Sequence, residues 1–196
     1  MIISDIKYKK SGSAVIFVED EKLEINADDV FTMGLTKGAS LSEDALFELR
    51  ETADYYFAYK KAAAAVYAGD ISAKGLYRRL KEKGATDTAA EKAVEKMREL
   101  GFVNEGSYAE RLCNTYGRIK HFARRRVMQE LLAHGVDRDA AEEALDSLPP
   151  DEENILCYYE QKLTRYDPQD KKVVSSLTRA GYSYDTINSL LRNLGG

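Results

Sequence analysis

Residues 117–145 read GRIKHFARRRVMQELLAHGVDRDAAEEAL, and the pattern inside this stretch decides the fold. Five bases come first, Arg118, Lys120, Arg124, Arg125 and Arg126, with no acid before Met128. With Val127 as reference, Met128, Leu131 and Leu132 fall within roughly 140° of it at helical spacing, an apolar arc that faces a core. Arg126 points away from that arc and Arg125 lies at its edge. Gly135 ends the helix, because glycine takes a positive φ at no steric cost. Asp137 then stands where a second helix needs an N-cap. Three arginines in a first helical turn oppose the helix dipole, at about 0.3–1 kcal/mol each. A local rule broken in this way points to a function for the charge.

The same arrangement occurs three times. Gly84, Gly135 and Gly181 are preceded at four residues by Leu80, Leu131 and Leu177, and at eight by Leu76, Val127 and Val173. Thr86, Asp137 and Ser183 follow at two residues as N-caps. Ala85, Val136 and Tyr182 stand one residue after each glycine, placed to staple against Ala90, Ala141 and Ile187. A further helical stretch precedes each pair, over about 52–67, 105–117 and 151–165. The unit is therefore three helices, and a tandem array of such units presents a long binding surface.

Residues 1–51 differ. Ile2-Ile3, Ile6 and Tyr8, then Ala14 to Val18, then Leu23 and Ile25 suggest three short strands, with turns at Gly12 and Asp20-Glu21. Asp28 is placed to cap a short helix through Met33, and Ser42 starts another toward Arg50. The expected architecture is mainly α. A small β-containing extension (1–51) precedes three tandem three-helix repeats (52–102, 103–149 and 150–196) that form an elongated, curved array.

The chain has 196 residues and a net charge of −4, so it is no general polyanion binder. Without the five bases of residues 117–127, 24 basic residues face 33 acidic ones, which concentrates positive charge locally on an acidic body. A base stands ten residues before each glycine, Lys74, Arg125 and Lys171, with Arg78, Arg126 and Lys172 nearby. The longest apolar run is too short to span a bilayer, and the N-terminus lacks the order of a signal peptide, so a cytoplasmic location is expected. Cys113 and Cys157 form no CxxC or Cys/His cluster and read as small buried residues, without zinc or a disulfide.

No catalytic constellation is present. The histidines are His121 and His134 alone, and no Walker A, GxSxG or HExxH motif occurs. Glu130 and His134 share an i,i+4 spacing that suits a surface pair. Tyr55, Tyr56, Tyr59, Tyr67, Tyr158 and Tyr159 cluster in the leading helices; core packing with the hydroxyl at the rim is the simpler reading, and base stacking the alternative.

On these residues the chain resembles the RecX family, regulators of the RecA recombinase. Ser72-Ala73-Lys74-Gly75-Leu76, then Leu80 and Gly84, looks like that family's S-x-x-E-L-x-x-x-L-x-x-x-G, with Gly75 in place of glutamate. Gly101-Phe102-Val103-Asn104-Glu105 with Tyr108-Ala109 is similar to its joint between repeats. Arg126-Val127-Met128-Gln129-Glu130-Leu131 with Gly135-Val136 looks like its R-I-x-x-E-L-x-x-x-G-[IV]. A Gly-x-Gly-Pro-like run usually precedes that motif; here it reads His121-Phe122-Ala123-Arg124. The resemblance implies a non-enzymatic protein of three tandem three-helix repeats; no cofactor or membrane attachment is expected, and nothing in the sequence demands more than a monomer. It implies binding to RecA and the RecA–DNA filament in the filament groove, and inhibition of recombinase, ATPase and coprotease activities. The expected contact residues are Arg118, Lys120, Arg124, Arg125 and Arg126, extended by Lys74, Arg78, Lys171 and Lys172, with weak direct DNA contact. The rival reading is a helix-turn-helix DNA-binding protein acting without RecA.

Overall fold

The computed structural model describes residues 1–194. Among them are three strands, ten α-helices and one π-helical turn. The chain divides into two units, one of residues 1–71 and 75–103, the other of residues 72–74 and 104 onward.

In the first unit β1 (Ile3–Tyr8), β2 (Ser13–Val18) and β3 (Glu21–Asn26) form an antiparallel sheet in chain order. Alternation along β2 buries Ala14, Ile16 and Val18 against Ile3, Ile25, Leu46 and Leu49. A short helix, α1 (Ala27–Thr32), follows. Its N-cap is Asn26, whose side chain accepts the Asp28 N–H, and not Asp28 itself. Ser42 caps α2 (Glu43–Ala68), a single helix of 26 residues. The sequence suggested two helices meeting near residue 51, but residues 50–52 contain neither glycine nor proline to separate them. One continuous helix therefore packs against β3 and against α4. This unit also holds α3 (Ala73–Glu82) from Gly75 onward, and α4 (Asp87–Glu99). Ala89, Ala90 and Ala93 of α4 and Ala58, Ala62 and Ala65 of α2 are all buried, small side chains that let backbones approach closely.

The second unit holds α5 (Glu105–Cys113), which runs into a π-helical turn (Asn114–Ile119). It continues with α6 (Arg124–Ala133), α7 (Arg138–Asp146), α8 (Asp151–Lys162), α9 (Lys171–Arg179) and α10 (Tyr184–Leu194). Val127, Leu131, Val136, Ala141 and Leu145 share one core with Cys113; Ile155, Val173, Leu177, Tyr182 and Ile187 share another, and Phe122 packs on both. Three helix–glycine–helix pairs thus exist, with φ of +93° at Gly84, +81° at Gly135 and +97° at Gly181. The staple positions are buried in all three pairs. Thr86 and Ser183 accept the N–H three residues on, whereas the Asp137 side chain accepts none. Two placements differ from the periodicity. Leu132 is 41% exposed, at the outer limit of the apolar arc, and Cys157 is exposed while Cys113 alone is buried.

Candidate functional site

The start of α6 has no side-chain cap of its own: Ala123 occupies the N-cap position, fully buried. Asp151, the first residue of α8, supplies the missing acceptor, and its Oδ1 takes the Arg124 N–H at 2.9 Å. A carboxylate from another helix therefore occupies the positive end of the α6 dipole, offsetting the three arginines. The same device recurs. Glu105, the first residue of α5, accepts the Ala73 N–H at 2.6 Å, at the start of α3. The joints match in a second contact. Ala123 N–H donates to Ala180 O at 3.0 Å, and Ser72 Oγ, at the equivalent position of its repeat, donates to His134 O at 2.8 Å. In both cases the acceptor is the residue before a helix-ending glycine.

The five bases of this stretch separate into distinct roles. Arg118 Nη2 donates to Ser147 O at 2.5 Å and Arg124 Nη1 to Leu148 O at 3.1 Å. Both guanidiniums hold carbonyls at the C-terminal end of α7, where a positive charge is favourable. Arg124 also reaches Asp146 at 3.4 Å. Arg126 pairs with Glu130 at 2.5 Å, one turn along α6. The i,i+4 partner of Glu130 is thus Arg126; His134 instead faces Tyr108 OH through Nδ1 at 3.3 Å and Tyr116 OH through Nε2 at 3.1 Å. Lys120 Nζ lies 4.3 Å from the centre of the Tyr116 ring.

Arg125 is exposed and, among the described residues, its side chain makes no hydrogen bond or ion pair. Lys74 and Lys171, its equivalents ten residues before their glycines, are likewise exposed and unpaired, as is Arg78. Lys172 lies 5.6 Å from the Tyr166 ring centre. Lys74, Arg118, Lys120, Arg124, Arg125, Arg126, Lys171 and Lys172 all belong to the second unit, whereas Arg78 belongs to the first.

His121 anchors the joint. It has φ +52°, a conformation that costs a side-chain-bearing residue free energy, at a position where the resembled pattern has glycine. Buried Asn154 donates through Nδ2 to Gly117 O at 3.2 Å and Phe122 O at 3.0 Å, which leaves its Oδ1 to accept from His121 Nδ1 at 2.8 Å. His121 Nε2 lies 2.9 Å from Gln161 Nε2, so both ring nitrogens are engaged. Tyr182 OH closes the network on His121 O at 2.7 Å. Of the tyrosines, Tyr158 and Tyr159 are buried and Tyr158 OH meets Ser176 Oγ at 3.1 Å, but Tyr67 is 94% exposed.

Lys162 is the residue that sequence spacing missed. It reaches across from α8 to donate to Lys120 O at 2.9 Å, 42 positions away, and its ammonium lies 4.3 Å from the Tyr158 ring centre. Burial first, and the Lys120 charge second, hold Lys162 below the ordinary lysine pKa. Among the described residues no group of three His, Cys, Asp or Glu side chains is placed to hold a metal ion. No helix among them is long and apolar enough to cross a membrane.

The profile of a family described as "RecX, second three-helix domain" matches residues 104–145, the stretch that carries the five clustered bases. The regulatory protein RecX of Clostridioides difficile is 26% identical over 203 aligned positions, covering 98% of this chain and 95% of that protein. The regulatory protein RecX of Stenotrophomonas maltophilia is 34% identical over 131 positions, covering 62% of this chain and 77% of its own length. Among solved structures, one titled "Crystal structure of regulatory protein RecX" superposes with a TM-score of 0.73 at 18% identity, covering 98% of both chains. RecX from Lactobacillus salivarius gives 0.61 at 21% identity, covering 72% of this chain and 97% of that one. With helical repeats, the small N-terminal sheet and the joint between repeats all in place, the chain belongs to the RecX family of regulatory proteins.

Proposed function

We propose that this protein regulates a RecA recombinase by non-enzymatic binding. It lodges as a monomer in the groove of the RecA–DNA filament in the cytoplasm, and inhibits strand exchange, ATPase and coprotease activities. The observation that carries the reading is the column of unpaired bases, Lys74, Arg125 and Lys171, repeated once per three-helix repeat on a chain with RecX relatives along 98% of its length. A periodic partner such as a helical filament is matched by a periodic set of charges. Arg126, Lys172 and Arg78 extend the contact, while Arg118 and Arg124 hold α7 in place and support the surface from within. The helix-turn-helix alternative is disfavoured by α7: its Asp139, Glu142, Glu143 and Asp146 outnumber Arg138, which faces Glu142 at 3.7 Å.

Inhibition of RecA's DNA-dependent ATPase, titrated with wild type, Arg125→Ala and a Lys74→Ala/Arg125→Ala/Lys171→Ala triple variant, tests the reading. Half-inhibition is expected to need severalfold more of the single variant and far more of the triple one, with helix content unchanged. Equal potency of all three proteins would sink it.

A further inference from the structure

The three-stranded sheet has two edges, and the chain treats them differently. Along β1 the first half is closed by the chain itself: Ile3 N–H donates to Ala39 O at 3.0 Å and Gly38 N–H to Ile3 O at 2.8 Å. A bulge between Ile3 and Asp5 then breaks the strand. Cover and bulges are how proteins keep an edge from pairing with other chains. β3 has neither. It pairs with β2 in unbroken register over all six residues and contains no proline. Ala27 N–H donates to Gly12 O at 3.0 Å, so alternation along the ladder turns Ile25, Leu23 and Glu21 toward β2. The N–H and C=O of Lys22 and Glu24 therefore face outward, and among the described residues no backbone group meets them.

Beside this edge lies a groove of about 520 Å3, with Lys22 and Leu23 on one wall and Ala53, Phe57 and Lys61 of α2 on the other. Its free charge is positive. Glu24 is already held by Lys9 at 3.1 Å and Lys60 at 3.0 Å. Lys22 and Lys61 lie 5.9 and 5.5 Å from the Phe17 and Phe57 ring centres, and among the described residues neither has an acid at ion-pair distance.

We infer that the free edge of β3 takes an extended segment of a partner protein as a fourth strand, with an acidic residue opposite Lys22 and an apolar one opposite Leu23. Outward N–H and C=O groups at strand spacing are matched by another extended backbone. Directly opposite residues share a face of the sheet. Leu23 stands beside buried Ile16, so the residue opposite it lies on the α2 side, against Ala53 and Phe57. The residue opposite Lys22 lies on the other face, where a carboxylate meets the unmatched ammonium. Lys60, which reaches Glu24 from α2, gives way, and Glu24 keeps Lys9 and Ser13. A second copy of this chain is a poorer occupant, because the acids of its own β3, Glu21 and Glu24, are already paired with Arg50 and with the two lysines. The site lies wholly in the first unit, and no part of it depends on RecA.

The test is fluorescence anisotropy of a labelled Gly-Val-Asp-Val-Thr-Val-Gly peptide titrated with the full chain. Wild type is expected to bind it, and to lose the same peptide when its alternate amides are N-methylated. Lys22→Ala keeps the outward N–H and should weaken binding about threefold through the lost charge pair. Lys22→Pro also removes that N–H, which the β2 ladder does not use, and should weaken binding about fivefold further. Lys61→Gln weakens it as well, and Lys83→Gln on the turn after α3 leaves it unchanged. Equal binding of the N-methylated peptide, no binding by wild type, or equal affinities of Lys22→Ala and Lys22→Pro overturns the inference. So does wild-type self-association that Lys22→Pro abolishes without any peptide bound, which would give the edge to a second copy. If Lys22→Pro fails to fold by circular dichroism, the N-methylated peptide decides on wild type alone.

Discussion

Gly84 and Gly181 occupy the same column of the repeat and have nearly the same backbone, φ +93° and +97°, yet their surroundings differ. A Cβ built on Gly84 meets nothing within 4 Å. A Cβ on Gly181 would stand 2.5 Å from Arg126 Cβ and 3.3 Å from Arg126 N, closer than carbon atoms approach. Gly84→Ala therefore carries only the left-handed backbone term, about 1–2 kcal/mol. Gly181→Ala carries that term plus overpacking of about 1–3 kcal/mol, about 2–5 kcal/mol altogether. The obstructing atoms belong to the Arg126 backbone and its first side-chain carbon, so no rotamer change relieves them.

Urea unfolding followed by far-ultraviolet circular dichroism measures both variants. Because the two glycines lie in different units, each is read from the transition of its own unit where two transitions appear. A double-mutant cycle isolates the cause: in an Arg126→Gly background, which removes the obstructing Cβ, Gly181→Ala should fall to a cost near that of Gly84→Ala. If Gly181→Ala costs no more than Gly84→Ala, or if the two changes at 126 and 181 are additive, the close approach of the α9–α10 turn to α6 is wrongly placed.

Three further outcomes follow from the burial and charge of single groups. Hydrogen bonds from Ser13 and Lys60, with Lys9 nearby, lower the Glu24 carboxyl from 4.5 to about 2. Because the folded pKa is depressed, its stabilisation is complete above pH 4.5 and is lost as pH falls toward 2; with the side chain 32% exposed, about 1–2 kcal/mol is expected. The stability gap between wild type and Glu24→Gln should close across that window in urea titrations, and a gap that stays constant with pH would contradict the pairing. Burial pushes the Cys113 thiol up to about 11 while Cys157 is exposed, so Ellman's reagent should titrate one thiol in the native protein and both in urea, and two fast native thiols would count against this core. Asn154→Ala strips partners from Gly117 O, Phe122 O and His121 Nδ1, and a loss of about 2–4 kcal/mol is expected in chemical denaturation; a loss below about 1 kcal/mol would mean that water replaces the amide.

What the sequence displayed was local. A leucine four residues before a glycine and a capping side chain two after it define a helix end and a helix start within one window, so all three pairs were legible. Cys157 and Leu132 are exposed against their helical periodicity, because periodicity gives a direction but not what lies there. The charged residues were harder still. Arg118 and Arg124 are indistinguishable in composition from Arg125, and only the fold brings the Ser147 and Leu148 carbonyls, 29 and 24 positions away, within their reach. Lys162 was invisible for the same reason, since its partners Lys120 and Phe122 lie on another segment.

The arginines at the start of α6 show how such a sequence is tolerated. Taken alone, Arg124-Arg125-Arg126 after an alanine N-cap is a poor helix start, short of both an acceptor and a negative charge. The fold provides both through Asp151, and through Glu105 at the start of α3. At α6 the acid opens the next leading helix of the same unit, so a defect at one helix start is corrected from a neighbouring helix. That cap can form only when α8 is packed beside α6, which couples their packing to helix initiation. The arrangement also frees the N-cap side chain and first turn from local duty. Ala123 can be buried without a polar group, and Arg125 can carry an unpaired charge outward, because the helix is held electrically from elsewhere.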